Sequence, residues 1–226
     1  MGKTKSHYEY AAEIEELWNA GETGDKLWRK VEKWAERVPL HFFVASNEQK
    51  PYTAEELGYP CESMPLKKET GVQQTGDYHC YLPDYDCHTG LIWERKELSD
   101  FYSTLVHGRD RFFRECQRAV DNPSIDYMMI GIEGTSEKFM KYKPAGSPGA
   151  HPAARAGMVE CLQARFDYRI IPRWHGGRKY AIRGLIKQNR LWIKYHFASV
   201  LKLKGHENEG VIRNEYRSEE ASISTT

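Results

Sequence analysis

Gly76-Asp77-Tyr78-His79-Cys80-Tyr81-Leu82, a turn from Pro83 to Gly90, and Leu91-Ile92-Trp93-Glu94-Arg95-Lys96 form the stretch that decides the fold. Two runs of strand length, rich in aromatic and apolar residues, flank a segment of Asp, Pro and Gly, which predicts a β-hairpin. Side chains alternate along a strand, so Glu94 and Lys96 share a face. A turn centred near Tyr85 and Asp86 brings Asp77 roughly opposite Glu94. Two carboxylates and one ammonium then meet at one spot. Like charges side by side oppose ionisation unless a cation lies between them. A hard divalent ion, Mg²⁺ or Mn²⁺, held by one or two carboxylates and by phosphate oxygens of a substrate, meets that need. Lys96 is then placed to orient a water molecule and to stabilise charge developing on phosphorus. The bland alternative is a solvated hairpin, since an acid followed at a distance by Glu-x-Lys is common by chance.

Working outward, Leu40-His41-Phe42-Phe43-Val44-Ala45 reads as a short buried strand. Ahead of it, two helical stretches are expected. In the second, Leu27, Val31, Trp34 and Val38 recur at helical spacing until Pro39 ends the run. Between Pro51 and Gly71 the breakers Pro51, Gly58, Pro60, Pro65 and Gly71 predict a loop. After the hairpin, Ser99 is the expected N-cap of a helix over Asp100 to Val106. Gly108 interrupts, and a second helix runs to about Val120. Tyr127-Met128-Met129-Ile130-Gly131-Ile132 suits a strand buried on both faces. Glu137 to Arg155 reads as a long surface loop or lid. A helix near Met158 to Arg165, a strand at Tyr168 to Ile171 and a long helix from about Lys179 to His196 complete the pattern, and the tail from Gly205 is polar enough to expect disorder. Strands alternating with helices around an antiparallel hairpin predict an α/β sandwich with a mixed central sheet. The expected divisions are 1–38 as a helical extension, 39–204 as the catalytic domain and 205–226 as the tail.

With 226 residues and 40% apolar content, the chain can build one packed domain with added elements. No apolar run approaches the roughly 20 residues of a membrane span, and no apolar stretch follows Lys3 and Lys5, so neither membrane insertion nor secretion is expected. Five cysteines at scattered spacing fit a reducing compartment, the cytoplasm or, in a eukaryote, the nucleus. The net charge of +1 conceals an asymmetry: Arg165 to Lys204 carries eleven Lys or Arg and one acid, Asp167, for +10, so the remainder carries −9. A local positive field of that size suits a polyanion such as nucleic acid. Arg183, Lys187, Arg190 and Lys194 fall on one face of the last helix, opposite Ile182, Ile186 and Ile193, and are read as phosphate contacts. Arg111, Arg114 and Arg118 form a weaker stripe on the helix after the hairpin. His79-Cys80 and Cys87-His88 flank the turn but match no common zinc spacing.

Beyond spacing, Gly76-Asp77 followed by the hairpin and by Glu94-Arg95-Lys96-Glu97-Leu98-Ser99-Asp100 resembles the signature of the XPF-type nucleases: Gly-Asp, strand-turn-strand, Glu-Arg-Lys, three residues and Asp. Val44-Ala45-Ser46-Asn47-Glu48-Gln49-Lys50-Pro51-Tyr52 is similar to that family's first strand and its exit. Gly108-Arg109 resembles its Gly-Arg, and Ile130-Gly131-Ile132-Glu133-Gly134 its strand ending in Glu-Gly. The resemblance implies a restriction-endonuclease-like three-layer sandwich with a mixed sheet, carrying added N-terminal helices. It implies an endonuclease for branched or flap DNA in repair or recombination, dependent on Mg²⁺ or Mn²⁺. Asp77, Glu94 and the Arg95 carbonyl become the implied metal ligands, Lys96 the residue that positions water, Arg95 and Asp100 a supporting pair, and Glu48 an outer carboxylate. Arg109 joins the implied DNA contacts. Dimerisation through this domain is also implied. The sequence departs from the family pattern at Ala45, where Asp is usual, and at Asn47, where Arg is usual. The first departure leaves open a non-cleaving DNA-binding subunit of the same fold, and the fold alone leaves open a sequence-specific restriction-like nuclease.

Overall fold

The computed structural model describes residues 5–64, 75–146 and 149–203. Backbone contacts divide the chain into two compact units, Pro39–Trp192 and a second that joins Met1–Val38 with Ile193–Thr226.

In the second unit, α1 (His7–Asn19) opens with a capping box in which Ser6 and Glu9 satisfy each other's free amides. The following helix, α2 (Asp25–Ala35), buries Leu27, Val31, Trp34 and Ala35 on one face. At the far end of the chain, Phe197 sits edge-on to Trp18 and Trp28, with ring centroids 5.3 and 5.7 Å apart.

Pro39–Trp192 contains the sheet. Its elements in order are β1 (His41–Ala45), α3 (Ala54–Leu57), β2 (Cys61–Met64), β3 (Tyr78–Leu82), a 3₁₀ turn (Pro83–Tyr85), β4 (Cys87–Glu97), α4 (Leu98–Val106), α5 (Arg109–Asp121), β5 (Tyr127–Glu133), α6 (Ser136–Lys141), α7 (Pro152–Arg165), β6 (Ile170–His175) and α8 (Arg178–Tyr195), which runs on past Trp192 and is followed by α9 (Phe197–Val200). Six strands form one sheet in the order β2-β1-β3-β4-β5-β6. The β1–β3 and β3–β4 pairs are antiparallel, and β1–β2, β4–β5 and β5–β6 are parallel, so the sheet is mixed as the hairpin pattern predicts.

Alternation along the strands sorts the core into two layers. Ile92, Met128, Ile130, Ile132 and Ile170 pack with Phe101, Tyr102 and Leu105 of α4, Phe112, Cys116 and Ala119 of α5, Phe139 of α6 and Leu162 of α7. The other face meets α8: Thr89 donates to Asn189 Oδ1 (2.8 Å) and Trp192 Nε1–H to Asp126 (2.8 Å). The Gly184 backbone passes so close to His175 that a β-carbon there would fall 2.3 Å from its ring. Helix layers on both faces of a mixed sheet make an α/β sandwich. On the α8 face Trp93 lies flat across Gly131, where a β-carbon would meet the indole at 2.0 Å; only glycine admits that ring.

Several sequence expectations change. The stretch from Pro51 is not one loop: Thr53 and Glu56 form a capping box that starts α3, and β2 then adds an edge strand parallel to β1. Glu137 to Arg155 is not a long lid either. Thr135 caps α6, and Pro152 at the first turn starts α7 six residues before Met158. Arg155 is buried there and donates to the carbonyls of Phe139 and Met140, each at 2.7 Å. Glu97, not Ser99, is the N-cap of α4, with no side-chain cap bond. Pro65, Gly71, residues 147–148 and the tail from Gly205 lie outside the described residues.

Candidate active site

Asp77 is set by its neighbour. Gly76 has φ +75°, a left-handed conformation, and a β-carbon there would touch Ile92 and the Trp93 carbonyl at 3.4 Å. That bend carries the chain into β3 with the Asp77 amide donating to Trp93 O (2.8 Å) and the Ala45 amide donating to Asp77 O (2.8 Å). On the other side of the hairpin, β4 is extended through Glu94-Arg95-Lys96 by pairing with Ile130-Gly131-Ile132 of β5. The Arg95 amide donates to Asp77 Oδ2 at 2.7 Å. The carboxylate before one strand is therefore held by the backbone of the other, between Glu94 and Lys96.

Glu94 and Lys96 share the face of Ile92, beneath α5. Lys96 Nζ donates to Glu94 Oε1 and stands 5.7 Å from the Phe112 ring centroid. Glu94 is 3% exposed, and its Oε2 is buried without a hydrogen-bond partner among the described residues. Burial pushes the Glu94 carboxyl up to about 8; Asp77 adds to the rise, and Lys96 opposes it. Burial likewise raises Asp77 to about 7, against the pull of Lys96 and of the Arg95 amide and with the help of Glu48 and Glu115. Burial lowers Lys96, but Glu94 and Asp77 outweigh it and hold the ammonium above its usual range. Two carboxylates that resist ionising together, one with an orphaned oxygen, fit a hard cation. Among the described residues no three His, Cys, Asp or Glu side chains converge closely enough to hold an ion unaided. Asp77 and Glu94 could each lend an oxygen to a divalent ion, but they do not make a closed structural site.

Arg95 projects to the opposite face. Its guanidinium clamps Glu133 with two bonds, Nε to Oε1 (2.7 Å) and Nη2 to Oε2 (3.0 Å), and reaches Glu97 at 3.3 Å and Glu48 at 3.4 Å. The Tyr52 hydroxyl donates to Glu133 Oε1 (3.1 Å), and the Tyr52 amide donates to the Tyr78 hydroxyl (2.6 Å). The segment that carries Glu48 and Tyr52 is tied down by Arg178, which donates to the carbonyls of Lys50 (3.0 Å) and Pro51 (2.7 Å) and to both Glu56 oxygens.

Asp77, Glu94 and Lys96 thus come together, with Glu48 reaching Asp77 electrostatically from beyond Arg95. The expected Arg95–Asp100 pair is replaced by Arg95–Glu133. Asp100 is exposed on the first turn of α4, while Glu133, level with Glu97 on the neighbouring parallel strand, lies within the guanidinium's reach. In the sequence, Glu133 and Tyr52 stand only as members of the motif stretches, with no role assigned to either. An acid ending a central strand level with Glu97 was the available signal for Glu133.

Of the basic residues, Arg109, Arg111 and Arg114 are exposed on α5 and Arg118 is half-buried, on the side of the sheet that bears Glu94. Arg183 and Lys187 are exposed on α8, against the other face. Arg190 donates to the Tyr59 hydroxyl (3.1 Å), and Lys194 pairs with Glu32 (2.7 Å), an acid from another helix that periodicity along α8 could not reveal. No described helix is long and apolar enough to cross a membrane, and all five cysteines are free.

The ERCC4 domain matches this chain over residues 44–172. Among solved structures it is similar to XPF from Aeropyrum pernix, at 23% identity and a TM-score of 0.47, with 67% of this chain and 64% of that one covered. It is also similar to the same protein's complex with DNA, at 21% identity and a TM-score of 0.42, over 67% of this chain and 63% of that one. The chain thus spans less than two thirds of the length of these structures. No curated protein sequence matches it.

Proposed function

Because the chain belongs to the ERCC4-domain family, a family of DNA nucleases, and brings half-buried Asp77 and Lys96 together with buried Glu94, we propose that it is a metal-dependent endonuclease that hydrolyses phosphodiester bonds in branched or flap DNA. The observation that carries the reading is the orphaned oxygen of buried Glu94 beside a second, half-buried carboxylate and a protonated lysine. An acidic pair of this kind is unfavourable in an apolar setting unless a cation joins it.

Asp77, Glu94 and the Arg95 carbonyl would hold Mg²⁺ or Mn²⁺. The ion would neutralise charge at the scissile phosphate and lower the pKa of an attacking water. The chain's own residues do the rest. The Arg95 amide fixes the Asp77 carboxylate, and the Glu133 clamp fixes Arg95. Lys96, held cationic by Glu94, orients the water and stabilises the extra negative charge on phosphorus. The Arg111 and Arg114 side chains, on the same side of the sheet, hold DNA through its phosphates without reading bases. Arg183 and Lys187 supply a second, separate phosphate contact.

Asp77→Ala and Lys96→Ala should each abolish cleavage while binding to the same labelled flap DNA stays within a few-fold of wild type. Equal cleavage by wild type and Asp77→Ala would sink the assignment. A second reading, a DNA-binding subunit that lends affinity to a partner without cutting, draws on one observation: Ala45 pairs with Asp77 across the strands and offers no oxygen. Binding without cleavage under every divalent ion would favour it.

A further inference from the structure

We propose that the pocket between α6 and the first turn of α7 is a phosphate-binding site, built on the free edge of the buried Arg155 guanidinium and on the Tyr102 hydroxyl. It is separate from the Asp77–Glu94–Lys96 cluster and does not depend on the catalytic reading of that cluster.

The pocket has a volume of about 450 Å³, and Lys141, Lys143, Gly149, His151 and Arg155 are among the residues that line it. No acid does. Arg155 is 2% exposed. Its Nη1 donates to the carbonyls of Phe139 and Met140 and so closes the end of α6. Its Nε is buried with no hydrogen-bond partner, and its Nη2 makes no hydrogen bond among the described residues. Nε–H and Nη2–H form one edge of the guanidinium, the edge that grips two oxygens of an anion. A buried donor left without an acceptor is costly, so a whole edge of them marks a place where an acceptor is missing.

A second donor converges on the same spot. The Tyr102 hydroxyl of α4 accepts from the Ala150 amide (2.8 Å), and its own proton has no acceptor among the described residues. A β-carbon built on Gly149 would lie 2.9 Å from Arg155 Nη2 and 3.5 Å from Tyr102 Oη. The space between the two donors is therefore open because residue 149 is glycine, at φ +72°. The first turn of α7 adds to the field. It carries no acid, its Ala153 amide goes to His151 Nδ1 (3.2 Å), and its Ala154 amide has no partner among the described residues. Lys143 is exposed at the rim and makes no ion pair among the described residues, whereas Lys141 is held by Glu137. An arginine edge, a hydroxyl, a helix amide and a lysine are more donors than the two oxygens of a carboxylate use, and they suit the tetrahedral oxygens of a phosphate.

Topology places the pocket where a nucleic-acid strand could supply that phosphate. The α6 helix leaves the end of β5 beyond Glu133, and α7 returns to the start of β6, which is parallel to β5. The first turn of α7 thus lies at the end of the sheet towards which β4 carries Glu94 and Lys96.

The test is titration calorimetry of the full chain with inorganic phosphate, at neutral pH in EDTA, for wild type, Tyr102→Phe, Gly149→Ala, Lys143→Gln and Lys33→Gln. Lys33 is exposed on α2 and reports the loss of a surface charge alone. Phosphate should bind the wild type. Tyr102→Phe should weaken it by about tenfold, as for one hydrogen bond to a charged group. Gly149→Ala should abolish binding, Lys143→Gln should weaken it a few-fold, and Lys33→Gln should leave it unchanged. If the strained Gly149→Ala protein does not melt cooperatively, Tyr102→Phe and the exposed Lys143→Gln decide the matter. A labelled single-stranded oligonucleotide, titrated in the same buffer, separates the two sources of phosphate. Its affinity should fall in Tyr102→Phe if the pocket takes a phosphate of a strand, and stay constant if it takes free phosphate. No binding of phosphate by the wild type, or equal binding by Tyr102→Phe and Lys143→Gln, overturns the inference. With no metal present and no cleavage read, that result leaves the proposed endonuclease activity standing.

Discussion

Removing the carboxylate of Glu133 should cost stability out of proportion to one surface ion pair. The Arg95 residue is 8% exposed, and its guanidinium has two of its bonds on Glu133, at 2.7 and 3.0 Å. Those bonds and the charge of Glu133 outweigh the desolvation that opposes the guanidinium charge and hold it protonated. Breaking a buried pair by deleting one partner typically costs about 3–5 kcal/mol, because the other charge stays buried. Glu97 and Glu48 remain within 3.3 and 3.4 Å and take up part of the deficit, so Glu133→Ala should lose about 2–3 kcal/mol. The Tyr52 hydroxyl also loses its acceptor. Urea unfolding is the assay: the midpoint should fall with an unchanged slope. The double variant Arg95→Met/Glu133→Leu should recover most of the loss, since no unpaired charge is then left behind. A midpoint for Glu133→Ala within about 0.5 kcal/mol of wild type, the range of an ordinary surface substitution, would refute the argument that this clamp holds Arg95 in place.

Other consequences are equally concrete. Asp77 and Glu94 titrate higher in the folded protein, near 7 and 8, than in an unfolded chain. The stability linked to their protons is therefore fully present below about pH 4 and is lost as pH rises through 7 and 8, by a few kcal/mol in order of magnitude. In EDTA the urea midpoint should drop between pH 5 and 8.5, Mg²⁺ should restore it at the upper end, and Asp77→Asn should flatten the profile; a flat wild-type profile contradicts the burial argument. Gly131→Ala should destabilise by about 3 kcal/mol, the upper end for overpacking, because its β-carbon would meet the fully buried Trp93 ring at 2.0 Å; a thermal melt equal to wild type would contradict the packing. Arg111→Gln/Arg114→Gln should weaken DNA binding alike for all sequences and reduce the slope of log K against log salt by about 2; an unchanged slope would move the phosphate contacts off α5.

The hairpin was legible because its chemistry is local. Alternation put Glu94 and Lys96 on one face, and the turn residues placed Asp77, from the other side of the hairpin, near both. The mixed sheet followed from the same pattern. What escaped depends on contacts between elements. The α3 helix has only four residues and no period to detect, and its cap signal, Thr53 with Glu56, was hidden among breakers. The α7 helix begins with Pro152-Ala153-Ala154-Arg155, where a buried arginine held by two carbonyls looks like a surface charge in sequence. The pairing of Arg95 with Asp100, five residues on, came from the family resemblance alone. The partner it takes, 38 residues away, is fixed by the register of β4 against β5. Lys194 looked free on its own helix for the same reason, since Glu32 lies 162 residues away.

The most direct test of the account is cleavage of a labelled flap substrate, beside linear duplex of the same sequence, by wild type and Asp77→Ala in Mn²⁺ and in EDTA. The account predicts cutting of the flap by the wild type in Mn²⁺ only, little cutting of the duplex, and none by Asp77→Ala. Cleavage that persists in EDTA or in Asp77→Ala, or a wild type that binds the flap and leaves it intact, would contradict it.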